Sequence, residues 1–263
     1  MTDKIHSFLF VPANEKMLSK IPTCSADTVI IDLEDAVLEE YKDEALILVK
    51  KYLDEVKTNM PIYIRINPDR VEREISLLKG TKISGYMIPK SETVEDIEIV
   101  NNLDNDKTII ALVETPMGIV NVPELAKCEL VYGIAFGAED YTARCDINNV
   151  NENLLYQKSR IVNYAKAFGK VAIDTISLNI HDKDSYKKEV QKSKDLGFDA
   201  KLAIHPMQVE AINELYTNRD YDYLKNIVDT YISSGRSVLE IEGKVYEKPH
   251  IDAIIKELRN MDG

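Results

Sequence analysis

The sequence has no tryptophan, 3 cysteines in 263 residues, and no apolar run approaching the length of a membrane span. Cys24, Cys128 and Cys145 are odd in number and widely separated, without a C-x-x-C. Neither a disulfide framework nor a zinc site is expected, and each thiol is read as a buried spectator. Basic charge is also scarce: 33 Lys and Arg stand against 45 Asp and Glu, for a formal net charge of −12. That balance argues against nucleic acid or an anionic membrane as a partner, since both need a basic surface. An anionic substrate would then require a local cluster of Arg, Lys or metal. The opening Met1-Thr2-Asp3-Lys4-Ile5-His6 lacks the apolar region of a signal peptide, so a cytoplasmic protein is expected. No G-x-S-x-G nucleophile elbow is present, and no Gly-rich phosphate fingerprint follows the first strand-like run.

What the chain does have is a repeated punctuation, in which an apolar strand-like run ends and a polar or charged residue follows. The runs are Ser7–Pro12, Val29–Asp35, Ile62–Arg65, Tyr86–Lys90, Ile109–Glu114, Ile134–Asp140, Ala172–Asp174 and Leu202–His205. Between them lie segments of helical spacing, expected over 13–20, 40–57, 70–79, 93–104, 118–128, 154–169, 182–196 and 207–217. Strict alternation implies parallel strands joined by right-handed crossovers, and eight units favour closure over an open sheet. The fold expected is α/β, a (β/α)8 barrel over residues 1–217. The carboxyl ends of all its strands open on one face, where residues distant in sequence converge. Residues 218–263 break the pattern: a helix at 221–235, a hairpin turning at Glu242-Gly243, and a last helix from Pro249 to Met261. This C-terminal helix-hairpin-helix extension is read as part of the same structural domain, serving as an oligomer contact, a cap or a lid.

Glu114 and Asp140 terminate the fifth and sixth runs, which would set two carboxylates side by side at the barrel mouth. Two carboxylates with open positions suit Mg²⁺, which prefers oxygen ligands and keeps several sites for water or substrate. Arg65, ending the third run, offers a fork for a substrate carboxylate. The competing reading makes Arg65 a plain neutraliser of Glu114 or Asp140. Asp32, Glu34 and Asp35 leave the second run together, either to orient waters around a metal or as a charge cluster at a helix start. Lys90 is expected to pair with one of these carboxylates or to meet an anionic ligand. His205 receives no acid–base role.

Seven runs also carry a resemblance: Phe8-Leu9-Phe10-Val11-Pro12, Asp32-Leu33-Glu34-Asp35-Ala36-Val37, Ile64-Arg65-Ile66-Asn67, Pro89-Lys90, Leu112-Val113-Glu114-Thr115, Phe136-Gly137-Ala138-Glu139-Asp140 and Ala203-Ile204-His205-Pro206-Met207-Gln208. In order and across almost the whole chain they resemble the citrate lyase beta subunit family of the HpcH/HpaI aldolase superfamily, which also holds malyl-CoA and citramalyl-CoA lyases. The resemblance implies a Mg²⁺-dependent TIM barrel that cleaves or forms a 3-hydroxy-acyl-CoA, with acetyl-CoA and a 2-oxo acid as the other side of the reaction. It implies Glu114 and Asp140 as metal ligands, Arg65 on the oxo-acid carboxylate, and the backbone of Gly137, Ala138 and Glu139 lining the pocket. It implies a homo-oligomer, a trimer or hexamer, in which a C-terminal carboxylate reaches a neighbouring subunit's site as acid–base. Here Glu247 stands where the stand-alone relatives carry Asp, and Lys16 stands where relatives often carry Arg. Two alternatives accompany this expectation: a citrate lyase beta subunit acting on an acyl carrier protein within a complex, and a catalytically weakened assembly or regulatory subunit.

Overall fold

The computed structural model describes residues 5–147, 154–217 and 221–261. Contacts divide the chain into two compact units, residues 5–214 and residues from 215 onward, so the boundary falls inside one helix.

In the first unit eight strands form a closed, all-parallel barrel in sequential order. They are β1 Ser7–Pro12, β2 Thr28–Asp32, β3 Ile62–Arg65, β4 Gly85–Ile88, β5 Thr108–Val113, β6 Val131–Phe136, β7 Val171–Asp174 and β8 Ala200–Ala203. Closure pairs Ser7, Phe8 and Leu9 of β1 with Lys201, Leu202 and Ala203 of β8. Helices α1 Glu15–Leu18, α2 Lys42–Glu55, α3 Val71–Leu78, α4 Val94–Leu103, α5 Pro116–Lys127, α6 Ala138–Arg144, α7 Leu155–Ala167, α8 Lys183–Asp195 and α9 Pro206–Thr217 alternate with them. Local chemistry starts several of these helices. Thr93 and Asp96 form a reciprocal capping box for α4, and Thr115 caps α5 ahead of Pro116.

The barrel interior is filled by Phe8, Ile30, Tyr63, Met87, Ile110, Leu112, Ala135, Ile173, Ala200 and Leu202. Side chains alternate along a strand, so residues two positions further on point the same way. Asp32, Arg65, Glu114, Gly137 and Thr175 each lie two residues beyond an interior residue, which places them in phase at the mouth.

Two expectations need correction. Run six is not one strand to Asp140: β6 stops at Phe136, and Ala138 opens the short helix α6, with Asp140 in its first turn. Asp174 ends β7 but is out of phase with Ile173 and turns outward, where it meets Lys158 of α7, Ser193 of α8 and Lys201 of β8. It is not at the mouth.

The second unit contains α10 Tyr221–Ser234, the antiparallel pair β9 Val238–Ile241 and β10 Lys244–Glu247, and α11 Lys248–Met261. Ile227 and Val228 of α10 pack with Ile251 and Leu258 of α11. The hairpin turns at Glu242 (φ 50) and Gly243 (φ 76), the double left-handed conformation of a two-residue turn. Among the described residues no helix is long and apolar enough to cross a membrane.

Candidate active site

Strand register alone sets the first pair of the site, because Asp32 and Arg65 are register partners at the ends of β2 and β3. Arg65 donates from Nε to Asp32 Oδ1 at 2.8 Å and from Nη2 to Oδ2 at 2.6 Å, a bidentate fork. Asp32 also accepts from the backbone N–H of Glu34 at 3.0 Å and of Ala36 at 3.2 Å. Four contacts occupy its carboxylate, so orienting waters around a metal is left to Glu34 and Asp35. The Phe10 ring lies 5.0 Å from the guanidinium centre. Nη1, the edge not used by Asp32, lies 3.2 Å from Glu34 Oε2 and 3.3 Å from Asp35 Oδ2. Burial opposes the charge of Arg65, but Asp32, Glu34 and Asp35 outweigh it and hold the group protonated.

Lys90 bridges two parts of the site from a left-handed backbone conformation (φ 52), which a non-glycine residue adopts at a cost of about 1–2 kcal/mol. The conformation aims its N–H at Glu114 Oε1 (2.9 Å), while its Nζ reaches Glu34 Oε1 at 2.6 Å. Glu34, itself buried, has its carboxyl pushed above the usual range by desolvation, against the pull of Lys90. No motif signals this backbone state in advance.

Glu114 directly follows β5 and is 1% exposed. Burial first, then the like charges of Asp140 and Glu34, push its carboxyl up to about 8, while the Lys90 N–H and Arg65 pull the other way. Its neighbour across the sheet must be glycine: a Cβ on Gly137 would stand 2.6 Å from Glu114 Oε2 and 2.7 Å from Glu114 Cβ. Gly137 and the fully buried Ala138 thus wall the carboxylate, with Asp140 and Glu139 half-buried in the same helical turn.

Through these contacts five carboxylates, Asp32, Glu34, Asp35, Glu114 and Asp140, gather around two cations, Arg65 and Lys90. Such an excess in a partly buried mouth is relieved either by protonation, as the raised Glu34 and Glu114 carboxyls show, or by a bound cation. Among the described residues no group of three or more His, Cys, Asp or Glu side chains forms a metal cage. A two-carboxylate site with the remaining positions open fits Mg²⁺, which keeps water and substrate oxygens, and does not fit a closed structural zinc site. The residues present therefore suit the expected ion.

Glu247 belongs to the second unit, where its carboxylate is exposed at the end of β10 and its N–H donates to His250 Nδ1 at 3.2 Å. Lys16 is exposed on α1. His205 sits in the turn before α9 and accepts from the Met207 N–H at 3.2 Å.

Sequence reasoning missed the buried cluster of Asp174, Lys201 and Lys158, in which Lys201 Nζ lies 3.0 Å from Asp174 and Lys158 Nζ 3.0 Å from the same carboxylate. One signal was available: a lysine inside the apolar stretch Ala200-Lys201-Leu202-Ala203, since a buried ammonium demands a carboxylate partner.

Comparison with known proteins gives a consistent result. The model of the family described as HpcH/HpaI aldolase/citrate lyase matches residues 6–206. The chain is 31% identical to the citrate lyase subunit beta of Haemophilus influenzae, covering 94% of this chain and 93% of that protein. It is 28% identical to a (3S)-malyl-CoA thioesterase of Cereibacter sphaeroides, covering 95% of this chain and 93% of that protein. A crystal structure of protein CitE from Mycobacterium tuberculosis in complex with magnesium, acetoacetate and coenzyme A superposes with a TM-score of 0.85 at 25% identity, covering 100% of both chains.

Proposed function

The chain belongs to the HpcH/HpaI aldolase/citrate lyase family, and from that premise we propose that it is a Mg²⁺-dependent carbon–carbon lyase acting between a 3-hydroxy-acyl-CoA and the pair acetyl-CoA plus 2-oxo acid. The observation that carries the reading is Glu114: a carboxylate 1% exposed, beside Asp140, where the charges of Arg65 and Lys90 are too few to balance Glu114 and the four other carboxylates gathered there. Glu114 and Asp140 would hold the metal. When bound, Mg²⁺ supplies Lewis-acid stabilisation of the negative charge that develops on oxygen at the reacting carbon.

The remaining tasks fall to this chain's own groups. Arg65, locked by Asp32 on one edge, presents Nη1 to the oxo-acid carboxylate, which takes the place that exposed Asp35 holds beside it. A guanidinium already fixed by a bidentate partner loses little freedom on binding, so it fixes the reacting carbonyl in one orientation. The backbone of Gly137, Ala138 and Glu139 walls the same space. The proton that leaves the substrate hydroxyl, and the one that reaches the acetyl carbon, need a base outside the metal's carboxylates. Glu247 is assigned that role, working in the site of an adjacent subunit of a homotrimer or hexamer. Its exposure on a strand end of the second unit supports the assignment.

CoA is the carrier favoured here, because a chain of net charge −12 is a poor partner for another acidic protein. Similarity to a citrate lyase subunit beta supports acyl carrier protein as the second choice, and similarity to a malyl-CoA thioesterase supports hydrolysis in place of carbon–carbon cleavage. Purified protein offered citramalyl-, malyl- and citryl-CoA, with Mg²⁺ or EDTA, separates these readings by product. Acetyl-CoA with a 2-oxo acid supports the lyase, whereas free CoA with the intact hydroxy acid supports the thioesterase. Absence of metal-dependent turnover of every thioester, in both directions, would refute the proposal and favour a weakened assembly subunit.

A further inference from the structure

A constraint at Glu114 propagates to a residue on the far side of β6. Gly137 is the N-cap of α6, and its missing side chain is what lets the Glu114 carboxylate fit. One of the first backbone N–H groups of a helix normally donates a hydrogen bond to the side chain of the N-cap residue. Here the N-cap has none to offer. The Thr175 hydroxyl takes its place, accepting from the Ala138 N–H at 3.1 Å. Thr175 follows β7, is 4% exposed and is in phase with the interior residue Ile173, so it faces the mouth from the strand next to β6. Its own backbone is held from behind: Lys201 Nζ donates to the Thr175 carbonyl at 2.8 Å and is balanced by Asp174. Asp140 lies only two residues beyond the amide that Thr175 holds. The helix carrying it is 7 residues long and is otherwise secured by Tyr141, against Phe136 and Gln157.

We propose that Thr175 is a positioning residue for the cation site, its hydroxyl supplying from β7 the cap that Glu114 denies to Gly137 and thereby fixing the turn that presents Asp140. The inference rests on the reading of Glu114 and Asp140 as the cation's ligands.

The test compares Thr175→Val, Thr175→Ser and Asp140→Asn in the full chain, with Mg²⁺ titrated calorimetrically, amide exchange of the first turn of α6 followed without metal, and thermal midpoints recorded. Thr175→Val, equal in shape but without the hydroxyl, is expected to weaken Mg²⁺ binding about 3- to 30-fold, the range set by losing one capping bond. It should also hasten exchange at Ala138. Thr175→Ser should stay near the native values in both. A Val variant with native Mg²⁺ affinity and native exchange would overturn the proposal, as would a Ser variant that fails as badly as Val, since the hydroxyl would then be present without restoring the site. Asp140→Asn retaining full Mg²⁺ affinity would instead overturn the cation site itself, while exchange at Ala138 would still report on Thr175.

Discussion

Replacing Gly137 by Ala tests the geometry of the site through a single methyl group. At φ −99 the backbone accepts alanine without strain, so in open space the substitution should stabilise the fold by about 0.4–1 kcal/mol through the unfolded chain. The space is not open. The new Cβ would stand 2.7 Å from Glu114 Cβ, about 1 Å inside the usual carbon–carbon separation of roughly 3.5–4.0 Å. It would also stand 2.6 Å from Glu114 Oε2. The carboxylate can swing away only by leaving the Lys90 N–H, and the Glu114 Cβ cannot swing at all, being fixed to β5. Either β5 and β6 part or the carboxylate is lost to the metal. Overpacking of this kind costs about 1–3 kcal/mol, which for a unit of this size lowers Tm by roughly 2–12 °C. The Mg²⁺ affinity should fall with it. Differential scanning calorimetry and Mg²⁺ titration measure the two effects, with Gly80→Ala as the control. Gly80 has φ +82 and nothing within 4 Å of its Cβ position, so it should cost about 1 kcal/mol of backbone strain and leave metal binding intact. A Gly137→Ala protein as stable as the native one, with native Mg²⁺ affinity, would refute the placement of Glu114 against Gly137.

Arg65→Lys keeps the charge but loses the fork that Asp32 grips, and KM for the 2-oxo acid in the condensation direction should rise about 10- to 100-fold, a loss of roughly 1.4–2.8 kcal/mol; an unchanged KM would leave Arg65 a structural partner of Asp32. Glu114 titrates near 8 in the folded chain against an ordinary value of 4.5. Without metal the Glu114 carboxyl therefore binds more protons in the folded than in the unfolded state between those values, so its contribution to stability is full below about 4.5 and is lost as pH rises through 8. Denaturant midpoints in EDTA should show that slope, and Glu114→Gln should flatten it; an identical slope in the variant would assign the effect elsewhere. Glu247→Gln should lower kcat by about 10²- to 10⁴-fold with little change in Tm. Mixed oligomers with Glu114→Gln subunits should recover partial activity, and full activity of the single variant would remove Glu247 from the chemistry.

The barrel was legible in the sequence because its signal is local and repeated. Each strand is a short apolar run between helices of the right period, and the structure returns all eight strands in parallel sequential order. The hairpin at Glu242-Gly243 was legible for the same reason. Within the site, the residue types were visible and several of their contacts were not. Asp140 reads as a strand end because Ile134 to Ala138 is an unbroken run of apolar residues and glycine, yet β6 stops at Phe136 and α6 starts two residues later. Asp174 and Arg65 look alike as polar strand ends. One faces the helices and the other the mouth, because a shift of a single residue reverses every side chain of a strand.

By itself, then, the sequence determined the period, the order of the elements and the set of polar groups that follow each strand, all carried by neighbours within a few positions along the chain. Tertiary structure alone decided the partners. Asp32 takes Arg65 because their strands pair in register, Lys90 turns its N–H to Glu114 through a left-handed backbone, and Thr175 caps a helix that a buried carboxylate has stripped of its own cap. The physical reason is that strand phase, burial and the close approach of β5 to β6 are properties of the closed barrel, and those properties raise the Glu114 carboxyl to about 8.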